Sequence, residues 1–277
     1  MGGAVAAIDA GTPPQTRRLW RDLAESFRNP GFWALSSWLD ILVRSRKSYL
    51  GPLWLLAPGV VYVFGIGSFF ASMFNRSIPE FAVHVSLGIV VFRTMMTALV
   101  GSAGVFNSSQ SFILDGHMRL TDFVLQSLAR SAFDMLMTLP VVVVALLLYG
   151  QAAPVGLLLA LPVLLLVYIN AFWISVAFAL VGARFVDFGH ALATVSTFMF
   201  LLTPIIWYPE SVSPGSIRAK LMLFNPLYHF VELFRAPIVG SGVHPASVWV
   251  VGVSTVGGLL LATLLYRRYA RFVPLWI

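Results

Sequence analysis

The sequence predicts an all-α integral membrane protein with six transmembrane helices, an N-terminal interfacial amphipathic helix, and two re-entrant helices between spans 5 and 6. Three observations predict it. Hydrophobic residues make up 58% of the chain and charged residues only 10%, with a mean hydropathy of +0.86, outside the composition of soluble domains. Six apolar runs, at about 53–74, 81–106, 123–149, 154–181, 188–208 and 246–266, reach the ~20 residues a helix needs to cross a bilayer. None shows the short alternating segments of an outer-membrane barrel.

Residues 1–30 read as a cytoplasmic tail. The first 16, MGGAVAAIDAGTPPQT, look disordered and have neither the basic start nor the apolar stretch of a cleaved signal peptide. Residues 31–50, GFWALSSWLDILVRSRKSYL, are too polar to span. Phe32, Trp33, Leu35, Trp38, Leu39, Leu42 and Val43 can share one broad face, with Ser36, Ser37, Asp40 and Arg44 towards the other. That pattern describes a helix lying in the membrane interface. Two readings stand: an anchor that fixes topology, or a helix that also touches a cytoplasmic partner, since Gly51-Pro52 joins it directly to span 1. Residues 51–277 read as one six-span unit.

Between spans 2 and 3, SSQSFILDGHMRLTDF (108–123) mixes the apolar knobs Phe112, Ile113 and Leu114 with Asp115, His117 and Arg119. A short helix docking into a groove on another protein has this mixture; a loop resting on the membrane has it too. Spans 3 and 4 are joined around Gly150 to Pro154, and spans 4 and 5 by GARFVDFGH (182–190), where Arg184 and Asp187 can pair if the segment is helical. The fifth run then breaks at Thr203-Pro204 and stops at Trp207-Tyr208-Pro209-Glu210. Residues 209–240 contain no uninterrupted span; Asn225-Pro226 and Ala236-Pro237 bracket a short amphipathic helix with His229, Glu232 and Arg235. Irregular backbone at membrane depth is tolerated only where it is buried in protein or lines a wet cavity. Two short helices dipping in from the outer face meet that demand, with Glu232 and Arg235 neutralising each other. Trp207, Tyr208 and Tyr228 suit the headgroup level.

The net charge of +7 is distributed as a topology signal rather than a nucleic-acid surface. With six spans, one side receives Arg17, Arg18, Arg21, Arg28, Arg44, Arg46, Lys47, Arg119, Arg130, Arg184, Arg267, Arg268 and Arg271. The other holds only Arg76, Arg218, Lys220 and Arg235, so both termini are expected in the cytoplasm. There is no cysteine, hence no disulfide and no thiolate chemistry. Neither of the two lysines, Lys47 and Lys220, follows a Gly-x4-Gly-Lys pattern, so the chain has no P-loop for ATP. Histidines 84, 117, 190, 229 and 244 are scattered without metal-ligand spacing, and no nucleophile elbow or carboxylate pair is present. No metal and no catalysis are expected. Arg93 and Asp134 lie inside spans 2 and 3, where charges are expensive; they pair, or Arg93 faces an aqueous path carrying an anionic substrate.

RSRKSYLGPLWLLAPGV (44–60), ARFVDF (183–188), TPIIWYPE (203–210) and NPLYHFVELFRAPIVG (225–240), in this order and spacing, give the chain a family resemblance. It resembles, over about residues 30–270, the ABC-2 type permeases that export polysaccharides: O-antigen, capsule, teichoic acid and mycobacterial galactan exporters. The resemblance implies a non-catalytic permease of the bacterial cytoplasmic (inner) membrane, moving a lipid-linked glycan outward. It implies a homodimer with two copies of a separate ABC-type ATPase that binds ATP and Mg, and no cofactor in this chain. Two copies would form a channel along their facing first and fifth spans, capped by the re-entrant pair at 209–240. This places Tyr62, Phe64, Arg93, Phe198, Phe200, Trp207 and Tyr208 on a substrate path, and Glu210, Asn225, His229, Glu232 and Arg235 in an exit cap. The segment 108–120 would match a coupling helix seated in the ATPase, presenting Phe112, Leu114, Asp115, His117 and Arg119, with Trp38 and Arg44 of the interfacial helix beside it. The chain departs from many relatives, which carry a basic-aromatic-Pro stretch where this one reads DGHMRLTDFVLQ at 115–126. Other readings are an ABC-2 drug or lipid exporter, against which the re-entrant signature argues, and a membrane-bound glycosyl- or acyltransferase, whose carboxylate or His-Asp constellation is missing. A channel or proton-coupled flippase would carry more intramembrane carboxylates than Asp134 and Glu232.

Overall fold

The computed structural model describes residues 18–46, 49, 51–74, 76–149 and 153–277. The expected disordered tail at 1–16, Lys47 and the side chain of Arg44 lie outside the described residues. Among those described, all regular structure is helical. Helices α1 (Leu19–Arg28) and α2 (Gly31–Arg46) precede the first long apolar segment, Leu53–Met73. That segment is not a uniform rod: a 3-10 turn leads into α3 (Leu56–Val60), a π-helical turn covers Val61–Ile66, and α4 (Gly67–Met73) completes it. Pro58 falls in the first turn of α3, where its missing N–H costs no helical bond. There follow α5 (Ile78–Ala103), α6 (Val105–Ser108), α7 (Gln110–Leu114), α8 (Leu120–Tyr149), α9 (Pro154–Arg184) and α10 (Phe188–Leu202). The chain ends with α11 (Ile217–Phe224), α12 (Pro226–Val239), α13 (Pro245–Tyr269) and α14 (Val273–Trp276).

Among the described residues, five helices are long and apolar enough to cross a membrane: Leu53–Met73, Ile78–Ala103, Leu120–Leu148, Val155–Arg184 and Pro245–Trp276. The run expected to span over 188–208 is helical only to Leu202. Pro204 bars its predecessor from helical geometry, and Thr203 is extended, at φ −84° and ψ 131°. The 15 residues of α10 rise about 22 Å, short of the ~30 Å hydrocarbon core.

One helix is surrounded. In α5, 72% of the apolar window is buried, against 17–33% for the other four, and it packs on α4, α8, α9, α10 and α12. Small side chains make this close approach possible: Ala82, Ser86, Gly88, Ala98 and Ser102 are all buried. Its hydroxyls are satisfied within the helix, Ser86 and Ser102 donating to the Val83 and Leu99 carbonyls at 2.9 and 2.7 Å. Near the end of α9, a Cβ on Gly182 would lie 1.9 Å from the Ala103 carbonyl oxygen, so only glycine lets the two helix ends meet. Asn107 seals the junction by donating Nδ2–H to the Gly182 carbonyl at 2.9 Å. Between α9 and α13, Trp173 donates to Asn170 at 2.8 Å, and Asn170 donates to Thr255 at 2.7 Å.

Within the tail read from sequence, residues 19–28 form a helix fastened to the bundle. Leu19 is buried, the Ser26 and Thr121 hydroxyls lie 2.7 Å apart, and Tyr266 donates to Asp22 Oδ2 at 2.7 Å. These bonds hold α1 against the start of α8 and the end of α13. The described ends of the chain therefore meet at one end of the bundle, called basal here; the end carrying α11 and the 203–211 stretch is the cap end. We expect Gly182→Leu to destabilise the fold by about 1–3 kcal/mol or more through overpacking. Gly189→Ala, whose Cβ would sit 3.7 Å from the Ala103 methyl, is expected to be tolerated. Thermal midpoints of the detergent-purified variants check this; equal midpoints would disprove the close approach.

Candidate functional site

The break after α10 leaves backbone carbonyls without helical partners, and the cap end is built around satisfying them. Asn225 does two jobs: Oδ1 accepts the Leu227 N–H at 3.0 Å, capping α12, and Nδ2 donates to Thr203 Oγ1 at 2.8 Å. Thr203 in turn donates to the Met199 carbonyl at 2.7 Å. One side chain thus stitches the end of α10 to the start of α12. That start lies deep: Pro226 and Leu227 line an apolar cavity of about 310 Å³ together with Met95, Leu99, Trp173 and Leu192.

Arg235, only 5% exposed, donates from Nη1 to the Pro204 carbonyl at 2.9 Å and sits 3.4 Å from Glu232 through Nη2. The expected neutralisation of Glu232 by Arg235 is therefore present. Nη1 also lies 3.0 Å from His84 Nε2, which is 3.1 Å from the Trp207 carbonyl. Nε2 serves one of them at a time, accepting from the guanidinium or donating to the carbonyl. Tyr208 is buried against His84 (4.1 Å between ring centroids) and Phe81 (5.7 Å), beneath the Arg76 guanidinium at 4.9 Å. Trp207 donates its indole N–H to the Leu201 carbonyl at 3.1 Å. His229 links α12 to α13, with Ser247 Oγ at 2.9 Å from Nδ1 and the Leu223 carbonyl at 2.8 Å from Nε2. Glu210 stands exposed at the margin.

The structure thus gathers Asn225, Glu232, Arg235, Trp207 and Tyr208, and adds His84, Arg76 and Thr203, which the sequence reading left unassigned. A histidine in an apolar run was the available signal for His84. Of the aromatic residues expected on a path, Tyr62 and Phe200 meet edge-to-face at 5.5 Å, with Phe92 on the far side of Phe200 at 5.4 Å. Phe64 packs partly buried against the core, and Phe198 points outward from α10.

At the basal end, α7 is held rather than free. Phe32 of α2 touches Phe112 of α7 and Phe123 of α8 edge-to-face, at 5.8 and 5.4 Å. Ile113 is buried, while Phe112 and Leu114 remain 52% and 56% exposed. Gly116, at φ +73°, turns the chain into α8, whose first N–H groups are approached by Asp122, with Oδ2 accepting the Arg119 N–H at 3.0 Å. Arg119 donates Nε–H to Glu25 Oε2 at 3.0 Å, tying α7's exit loop to α1. Hydrogen bonds from Arg21 and then Arg119 hold the Glu25 carboxyl below its ordinary pKa. Asp115, His117 and Trp38 are exposed nearby, and Arg44 lies on α2 with its side chain outside the described residues. Arg184 stacks over the Trp276 ring at 5.7 Å, and among the described residues no ion pair joins it to Asp187.

Between α2, α5 and α8 a basal cavity of about 580 Å³ is lined by Ser36, Asp40, Thr97, Gln126, Arg130 and Asp134, among others. Arg130 pairs with Asp40 across it, and Gln126 donates to the same carboxylate at 3.1 Å. Arg93 shares the α5 stripe of Thr97 and Gly101, and its Nη1 is buried with no hydrogen-bond partner among the described residues. Among the described residues, no group of three or more His, Asp or Glu side chains is placed to hold a metal.

A family model described as ABC-2 type transporter matches residues 31–239. The chain is 20% identical over 199 residues to an O-antigen export system permease protein RfbA of Myxococcus xanthus, covering 71% of this chain and 76% of that one. It is 22% identical over 239 residues to a protein of the same description from Klebsiella pneumoniae, covering 84% of this chain and 92% of the relative. A second Klebsiella pneumoniae protein so described is 22% identical over 240 residues, with the same coverage.

Arg235→Met is expected to cost about 3–5 kcal/mol, because it strands Glu232 and the Pro204 carbonyl together; a thermal midpoint unchanged from wild type would refute the role given to the guanidinium. At the base, a carboxyl with a depressed folded pKa contributes stability above its unfolded pKa and loses it as pH falls through the folded value. Hydrogen exchange in α1 should therefore stay slow through the ordinary glutamate range and accelerate below it, and Glu25→Gln should abolish that step.

Proposed function

We propose, from the premise that this chain belongs to the ABC-2 type transporter family, that it is the permease of a polysaccharide exporter. ABC-2 permeases are non-catalytic transport subunits, so ATP and Mg would be bound by a separate ATPase. The observation that carries the reading is α10. None of its residues is fully buried, although it sits within a tightly packed bundle, and Thr194, Thr197, Phe198 and Leu201 all face outward. Thr194 and Thr197 donate to the His190 and Ala193 carbonyls at 3.1 and 3.4 Å, so their hydroxyls are met within the helix; what asks for a second copy is a 15-residue helix, too short to span, left exposed along a whole face. The partly exposed first segment, with its π-helical turn and Tyr62 against Phe200, stands next to that face. In this reading two copies meet along Leu53–Met73 and α10, and the irregular 203–208 stretch completes the fifth crossing. The short helices α11 and α12 dip from the outer side as the exit cap.

The substrate is a lipid-linked glycan moved from the cytoplasmic side outward, in keeping with the O-antigen export described for the relatives. Both termini and the basal end face the cytoplasm. There α7 meets the ATPase through Phe112 and Leu114, with Asp115, His117, Arg119, Trp38 and Arg44 around them. Arg93, one turn along α5 from the cavity-lining Thr97 and with an unpartnered Nη1, would meet the anionic phosphate of the lipid carrier.

The chain's lack of cysteine makes the dimer testable without background. Thr197→Cys should form a disulfide-linked dimer under mild oxidation in native membranes, whereas Val256→Cys, exposed on α13, should not. A P-loop ATPase should co-purify in equal amount. Monomeric Thr197→Cys together with no ATPase would overturn the reading. Charge reversal at Asp115 should leave the permease folded but lower substrate-linked ATP turnover; reversal at Arg119 should lower it too, while also releasing α1 through the loss of its pair with Glu25. Arg93→Ala should impair export without loss of assembly; unaltered export would remove Arg93 from the path.

A further inference from the structure

On the side of the bundle away from α10, a second groove has a different character. Its volume is about 470 Å³ and its lining is almost wholly apolar, formed by α1, α2, α8, α9 and α13. Trp20 and Phe27 of α1 line it while remaining 50% and 58% exposed, so it opens outward between α1 and the long helices. The two indole N–H groups in its walls are already engaged. The Trp20 indole N–H is taken by Thr263 Oγ1 at 3.1 Å, and that of Trp33 by the Ser26 carbonyl at 2.9 Å, which leaves only ring faces towards the space.

Depth narrows the occupant. The lining of α8 from Leu125 to Ala132 covers about 10 Å of helix rise, most of the ~15 Å that one leaflet's hydrocarbon occupies. The groove starts under α1, at the basal end, and runs alongside the spans towards Tyr168 of α9. Two exposed arginines adjoin its lining along the chain. Arg28 follows Phe27 at the end of α1, and Arg267 stands one turn beyond Thr263 on α13; both are exposed and neither joins an ion pair among the described residues. The acidic residues of α1 are already engaged, Glu25 with Arg21 and Arg119, and Asp22 with Tyr266. Nothing acidic on α1 is left to neutralise these arginines.

We propose that this groove is a site for one acyl chain of an anionic phospholipid from the basal leaflet, its phosphate held by Arg28 and Arg267. The chain completes the apolar contact of Trp20 and Phe27 and so keeps α1 on the bundle. A hydrocarbon slot with a basic mouth at a helix end is the arrangement by which membrane proteins select anionic lipids. The site is independent of what the permease exports.

Native mass spectrometry of the detergent-purified protein, with added phosphatidylglycerol or phosphatidylcholine of identical chains, tests it. One phosphatidylglycerol per chain should survive activation that strips phosphatidylcholine. Ala132→Trp, which fills the groove, should lose the adduct. The double variant Arg28→Gln/Arg267→Gln leaves the groove intact and should retain phosphatidylglycerol about tenfold less, near the phosphatidylcholine level. Equal retention of the two lipids by the wild type would overturn the anionic headgroup. Undiminished phosphatidylglycerol retention in the double variant would do the same even if Ala132→Trp fails to fold.

Discussion

A helix that breaks inside a membrane has to find donors for its released carbonyls, and this requirement organises the cap end. Thr203 and Ile205 are fully buried, so a carbonyl left open beside them costs several kcal/mol, on the order of a lost buried hydrogen bond. Here the donors come from far along the chain. Arg235, 31 residues beyond Pro204, reaches back to its carbonyl, and Asn225 reaches Thr203 across 22 residues. Both side chains sit on or at the start of α12, so α12 must lie beside the break. Glu232, one turn earlier on α12, then offsets the guanidinium's charge within the same helix. The position of α12 beside the 203–208 stretch follows from that one need.

The second organising element is α5, which takes the central place without being the most apolar helix. Its hydropathy, 1.7, is the lowest of the five long segments, whose values run to 2.4. In a bilayer apolarity does not decide burial, because lipid competes equally for leucine; close backbone approach does. The small residues of α5 allow that approach, and α8 and α9, richer in leucine and valine, face outward.

The same physics explains which parts of this structure were legible beforehand. Long apolar runs are local signals, and they located the five long helices to within a few residues; the run read as spanning to 208 is helical only to Leu202, and within 209–224 only Ile217–Phe224 is α-helical. The Glu232–Arg235 pair was legible because both partners share one helix turn. His84 with Arg235, Phe32 with Phe112, and Glu25 with Arg119 were not, since their separation in sequence carries no periodicity. Helix α1 escaped for another reason. With four charges and a serine in ten, LWRDLAESFR looks like tail, and only its contacts with Thr121, Thr263 and Tyr266 give its buried side a purpose. Arg184 was assigned a neighbour by spacing, yet α10 begins at Phe188 with a turn between them, and Trp276 arrives from the other end of the chain.

The two polar clusters sit towards opposite ends of α5, about 26 Å apart by the rise from His84 to Gly101. His84 belongs to the cap cluster near its start; beyond its end only Gly104 separates it from α6, whose Asn107 is bonded to Gly182. A rigid, surrounded helix joining both ends would resist bending and transmit displacement instead. The first long segment and α10 are both largely exposed, one interrupted by a π-helical turn and the other too short to span. In the proposed dimer the path would therefore form on their side, with α5 as its inner wall.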